Sequence, residues 1–197
     1  MDLLARLTEA VADARRLMER LAAEQAETVA AAARLLADTF RAGGKVLIFG
    51  NGGSAADAQH IAAEFVNRFQ VERPPLAALA LTTDTSVLTS IANDYAFAEV
   101  FVKQVKALGR PGDVAWGIST SGSSLNVILA LEEARALGLK TMALSGGEGG
   151  PVADQAEVAI VVPSRNTPRI QEMHIMVGHV LCDLVDYLLF PEKFADS

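Results

Sequence analysis

Apolar positions in the first part of the chain recur with helical spacing. Leu7, Val11, Ala14, Met18 and Leu21 step by 4, 3, 4 and 3, the seam of a helix that packs against another helix. A second helix is predicted from about residue 24 to residue 41, stopping at Gly43-Gly44. Residues 1–43 therefore read as a leading helical pair with no strand of its own. Such a pair is expected to cap the domain or to pack against another subunit.

From Lys45 onward, short continuous apolar runs alternate with amphipathic stretches. Strands are predicted at residues 45–49, 76–81, 113–118, 140–144 and 157–162. Helices are predicted from 55 to about 69, over 125–137 and over 168–189, and a helical region at 84–108 is interrupted near Asn93-Asp94. Five apolar strands separated by helices predict an α/β fold: a doubly wound, five-stranded parallel sheet of the flavodoxin-like kind, covered on both faces. With no repeat and no low-complexity linker, residues 1–197 read as one domain, with 44–197 as its α/β core.

Composition narrows the classes. Of 197 residues 51% are hydrophobic, which excludes a disordered chain. A net charge of −7 without a basic cluster argues against direct nucleic-acid binding. Cys182 is the single cysteine, so an internal disulfide or a Cys-rich zinc site is excluded. The N-terminal stretch is charged throughout, unlike a signal peptide. The longest apolar stretch, 173–190, is interrupted by His174, His179, Asp183 and Asp186 and reads as a buried helix instead of a membrane span. A cytoplasmic protein without a membrane partner is expected.

Two loops leave strand ends with unusual composition: Gly50-Asn51-Gly52-Gly53-Ser54 and Ser119-Thr120-Ser121-Gly122-Ser123-Ser124. Each opens a helix, where free N–H groups favour anions and hydroxyls add donors for phosphate oxygens. Two other readings stand beside this one. The first loop matches G-x-G-x-x-A, a dinucleotide fingerprint, with Glu72, close to two prolines, as its candidate acidic partner. The Ser/Thr run is also what a helix cap would look like.

His60 and Glu64 are spaced i, i+4, so they share a helix face and suit a divalent metal, or else form a solvated contact. The closing helix carries Gln171, His174 and His179, of which His174 reads as a core histidine. Gln171 and His179 lie roughly 12 Å apart along the axis, with directions differing by about 80°. Meeting on one ion would take a helix irregularity or groups from neighbouring subunits.

Four segments, GNGGSAADAQHIAAEF, IANDYAF, GISTSGSSLNV and TPRIQEMHIMVGH, together resemble the SIS (sugar isomerase) family along essentially the whole chain. The resemblance is to those members that isomerise sedoheptulose 7-phosphate at the start of heptose precursor synthesis. It implies substrate contacts from Asn51, Gly52, Gly53, Ser54, Glu64, Asn93, Asp94 and Gln171, with Ser119, Thr120, Ser121 and Ser124 around the phosphate. It further implies one zinc per subunit held by His60, Glu64, Gln171 and His179, with Glu64 and His179 catalytic, in a homotetramer. Glu64 is read as the base at carbon and His179 as the acid and base at oxygen.

A non-catalytic branch of the family, a tetrameric scaffold for a replication initiator, shares the glycine loop. It lacks counterparts of Glu64 and His179. Both are present here and favour an enzyme. An isomerase acting on another sugar phosphate, such as a hexosamine phosphate, is the third reading.

Overall fold

A computed structural model of the chain describes residues 2–195, so the outermost residues of the 1–197 domain lie outside the described ones. Helix α1 covers Leu3–Arg41, β1 Val46–Gly50, α2 Gly53–Val66, β2 Ala78–Ala80, α3 Thr85–Asp94 and α4 Val102–Leu108. These are followed by β3 Val114–Ser119, α5 Leu125–Ala136, β4 Lys140–Gly146, α6 Gly150–Asp154, β5 Val158–Val162 and α7 Thr167–Leu189. All neighbouring strands pair in parallel, in the order β2-β1-β3-β4-β5. That is the doubly wound, flavodoxin-like arrangement the apolar runs predict.

The leading helical pair is corrected to one helix. α1 is continuous for 39 residues, about 58 Å at ~1.5 Å per residue. Nothing between Leu21 and Gln25 breaks it: Ala22, Ala23 and Glu24 are strong helix formers, and neither Gly nor Pro intervenes. Its C-terminal half packs on the sheet and on α7, burying Ala32, Ala33, Leu36 and Ala37. Arg20 donates to Pro163 O at 3.0 Å and Arg41 to Leu188 O at 2.7 Å, tying it to the end of β5 and to α7. Its N-terminal half keeps Leu3, Leu4, Leu7 and Val11 between 60% and 75% exposed.

Strand alternation divides the interior into two cores, as a sheet buried on both faces requires. Val46, Ile48, Val114, Trp116 and Ile118 face α1, α2 and α7. Leu47, Phe49 and Ala115 face the opposite layer with Val105, Val127 and Leu131. Among the described residues no helix is long and apolar enough to cross a membrane. Helix α6, five residues opening on Gly149-Gly150-Pro151, is too short for periodicity to reveal.

Candidate active site

The sheet order sets the two unusual loops side by side. The glycine loop leaves β1 and the hydroxyl loop leaves β3, and these adjacent strands continue to opposite edges of the sheet. This is the switch point at which doubly wound sheets open a crevice beyond their carboxyl ends. Asn51 and Asn126 join the loops by exchanging two amide hydrogen bonds of 2.9 Å. Gly52, at φ 55°, turns the chain into α2 through a backbone region that favours glycine.

Neither helix has a side-chain cap at its start. Ser124 occupies the cap position of α5, but its hydroxyl bonds Ser119 Oγ at 2.9 Å. The capping reading of the Ser/Thr run is therefore overturned. Ser121 Oγ accepts from Ser123 Oγ at 3.0 Å and lies 3.4 Å from Ser119 Oγ. Thr120 and Ser121 line a cavity of about 410 Å³ with Gly146, Gly147 and Ile170. Hydroxyls gathered over uncapped helical N–H groups can hold an anion without a fixed positive charge. The dinucleotide reading loses its partner: Glu72 is exposed, lies ahead of β2 and not at its end, and pairs with Arg68 at 3.5 Å.

Helices α2 and α7 bring the ionisable groups together. His60 Nε2 lies 2.8 Å from His179 Nε2 and 3.4 Å from Glu64 Oε1. Phe69 stacks on the His179 ring with centroids 5.4 Å apart. The helices can approach because residue 178 is glycine; a Cβ there would meet Ile61 Cδ1 at 2.7 Å and Cγ1 at 2.9 Å. Two imidazoles and a carboxylate are donors that suit zinc. Among the described residues no group of three or more His, Cys, Asp or Glu side chains is arranged as a finished cage. The two histidines are hydrogen-bonded to each other instead.

Gln171 takes another partner. Its amide donates to Asp57, and its Oε1 accepts from Ser54 Oγ at 3.5 Å, at the start of α2. Helix α7 is continuous through residues 171–179, so the expected irregularity is absent. Gln171 and His179 instead face successive turns of α2. Asn93 and Asp94 stand exposed at the end of α3, where Asn93 Nδ2 donates to Asp94 Oδ1 at 2.8 Å. Among the described residues no hydrogen bond connects their side chains to either loop.

Asp57 and Asn126 are site residues that the sequence reading misses. Asp57 is three residues before His60, on the face shared with Glu64, a spacing that could have revealed it. Burial raises its carboxyl to about 6, against the opposing effects of the Gln171 hydrogen bond and His60. Asn126 carries no local signal, because its partner is 75 residues away.

His174 is a core residue, as read. It is fully buried, and its Nε2 donates to Ser145 O at 3.1 Å. Burial lowers its pKa from 6.5 to about 4, and the Ser145 bond opposes that shift. The unfolded imidazole takes a proton near pH 6.5 and the buried one only near pH 4. Stability therefore falls as pH drops through that window, and above it the group contributes nothing. Between pH 7 and pH 4.5 wild type is expected to lose about 2–3 kcal/mol more than His174→Gln in urea unfolding. Equal acid sensitivity of the two proteins would refute this.

Residues 11–146 match the SIS domain model. A phosphoheptose isomerase of Thermodesulfovibrio yellowstonii is 52% identical over 190 residues, 96% of this chain and 94% of the relative. A solved phosphoheptose isomerase structure from Neisseria gonorrhoeae superposes with a TM-score of 0.89 at 46% identity, covering 94% of this chain and 99% of that one. One from Francisella tularensis gives 0.90 at 39% identity with the same coverage. Neither the scaffold nor the other-sugar reading is favoured by these relatives. By the domain model and by these relatives alike, the chain belongs to the SIS domain family, in its phosphoheptose isomerase group.

Proposed function

We propose that the chain isomerises sedoheptulose 7-phosphate to D-glycero-D-manno-heptose 7-phosphate. The observation that carries this reading is Glu64 beside the His60–His179 pair, on the helix that the glycine loop opens. Ketose–aldose exchange requires a base at carbon and a proton donor and acceptor at oxygen.

Glu64 takes a proton from C1 of the open-chain ketose while His179 protonates the C2 oxygen, giving a 1,2-enediol. His179 then removes the proton from the C1 hydroxyl as Glu64 returns a proton to C2, and the C1 carbonyl of the aldose forms. Atoms balance, and no redox partner is needed. Ser119, Thr120, Ser121 and Ser124 hold the phosphate, and Asn51, Gly52, Gly53 and Ser54 form the wall of the cleft beneath it.

The donor set fits a zinc ion, one per subunit. His60, Glu64 and His179 would hold it; with α7 unbroken between Gln171 and His179, a Gln171 that completes the set would be released from Asp57 and supplied by a neighbouring subunit. Bound there, zinc would polarise the substrate's carbonyl oxygen. Chelation is expected to abolish turnover and added zinc to restore it; activity that survives verified metal removal would remove zinc from the reaction.

A homotetramer in the cytoplasm completes the reading. Its support is the exposed seam of α1 together with an apolar groove of about 380 Å³ between α1 and α7, lined by Met18, Leu21, Val29, Met176 and Val180.

The phosphate grip lies away from the reacting carbons, so its loss is expected in binding. Ser121→Ala should raise KM about tenfold with kcat little changed, the scale of one hydrogen bond to a charged group. Steady-state kinetics with sedoheptulose 7-phosphate would check it. A collapse of kcat at unchanged KM would place Ser121 elsewhere in the reaction.

A further inference from the structure

Arg73 is a buried cation outside the reacting groups. Its side chain and that of Asp186 are 0% and 1% exposed, and its Nε donates to Asp186 Oδ1 at 2.8 Å. The rest of the guanidinium closes over the end of α2. Nη2 donates to Glu64 O at 2.9 Å, and Nη1 to Phe65 O at 2.6 Å, Pro74 O at 3.2 Å and Asn67 O at 3.3 Å. One rigid fork thus satisfies carbonyls that the helix end leaves without intrahelical partners.

Asp186 belongs to α7, seven residues beyond His179. That is almost two turns, so both lie on one stripe of the helix, about 10 Å apart along it. The ion pair therefore fastens the α2 turn that carries Glu64 to the stripe of α7 that carries His179. A purely stabilising device would be built differently. Buried ion pairs contribute little net stability compared with well-packed apolar residues. Asp186 Oδ2 also has no hydrogen-bond partner among the described residues.

We propose that Arg73 and Asp186 are positioning residues that set the register of α2 against α7, and so the alignment of Glu64 and His60 with His179. This rests on reading Glu64 and His179 as the reacting pair. Misplacement of reacting groups by about 1 Å can cost up to 10²-fold in rate, so the pair acts on turnover without touching substrate.

The test uses the full-length, zinc-supplied protein and two replacements. Arg73→Met/Asp186→Leu removes both charges together and leaves apolar groups in their place. Arg73→Lys keeps the buried charge but loses the fork, and serves if the double variant fails to fold. In folded protein, each is expected to lower kcat about tenfold or more with KM within about threefold. Each is also expected to shift the imidazole NMR signals of His60 and His179 but not that of His174, which is easily followed with three histidines in the chain.

Folded variants with wild-type kcat and unmoved imidazole signals would overturn the proposal. So would a loss confined to melting temperature. If wild type itself turns over no sugar phosphate, the isomerase reading fails separately. The imidazole signals, which need no substrate, still decide whether the pair sets the contact.

Discussion

Glu64→Gln is expected to lower kcat by roughly 10²–10⁴-fold, the usual contribution of a positioned acid or base, with little change in melting temperature. The substitution preserves length and shape and removes the carboxylate that takes the proton and that would also be a zinc ligand. Glu64 is well placed for that role. Its side chain is 22% exposed, open enough to meet a sugar, and its α2 turn is anchored through the backbone by Arg73. The expected loss corresponds to about 3–5 kcal/mol of transition-state stabilisation. Exchange of the C1 protons of sedoheptulose 7-phosphate with solvent should fall in parallel, because abstraction at carbon is the step removed. Near wild-type turnover by a folded Glu64→Gln protein would take Glu64 out of the mechanism.

The second large effect is expected at His179. His179→Gln should lose about 10²-fold or more in kcat, whereas His174→Gln should stay within about threefold of wild type. The two histidines are five residues apart on one helix and face different surroundings. His179 is partly exposed, touching His60 and Phe69. His174 is sealed in the core against Ser145, with its pKa near 4, so it is neutral and out of reach of substrate at working pH. Side-by-side kinetics of the two variants would separate them. A larger loss at His174 would mean that the core histidine is the one coupled to the reaction.

How much of this could be read from the sequence depends on whether the signal was local. The strands were legible because β1, β3 and β4 are buried on both faces and form unbroken apolar runs. β2 shrank to Ala78–Ala80 because it is an edge strand, preceded by Pro74-Pro75. The sequence suggests a leading pair because the 7, 11, 14, 18, 21 seam ends near Leu21, whereas the helix does not. A change in what a helix face packs against looked like a helix end.

Within the site, the loops and the His60–Glu64 spacing were legible because composition and helical period announce them. The partners that fix the loops and helices were not. Asn51–Asn126 and Arg73–Asp186 span 75 and 113 residues, so only the folded chain brings them together. The resemblance assigns Gln171 to the metal, yet its side chain is occupied by Asp57. The proposed zinc site requires that exchange of partners, and it requires the His60–His179 contact to open.

The most direct test is to incubate the purified, zinc-supplied protein with sedoheptulose 7-phosphate and follow the sugar by NMR. Appearance of the aldose D-glycero-D-manno-heptose 7-phosphate, abolished by Glu64→Gln, is the predicted result. No product from folded, zinc-loaded protein would contradict the account.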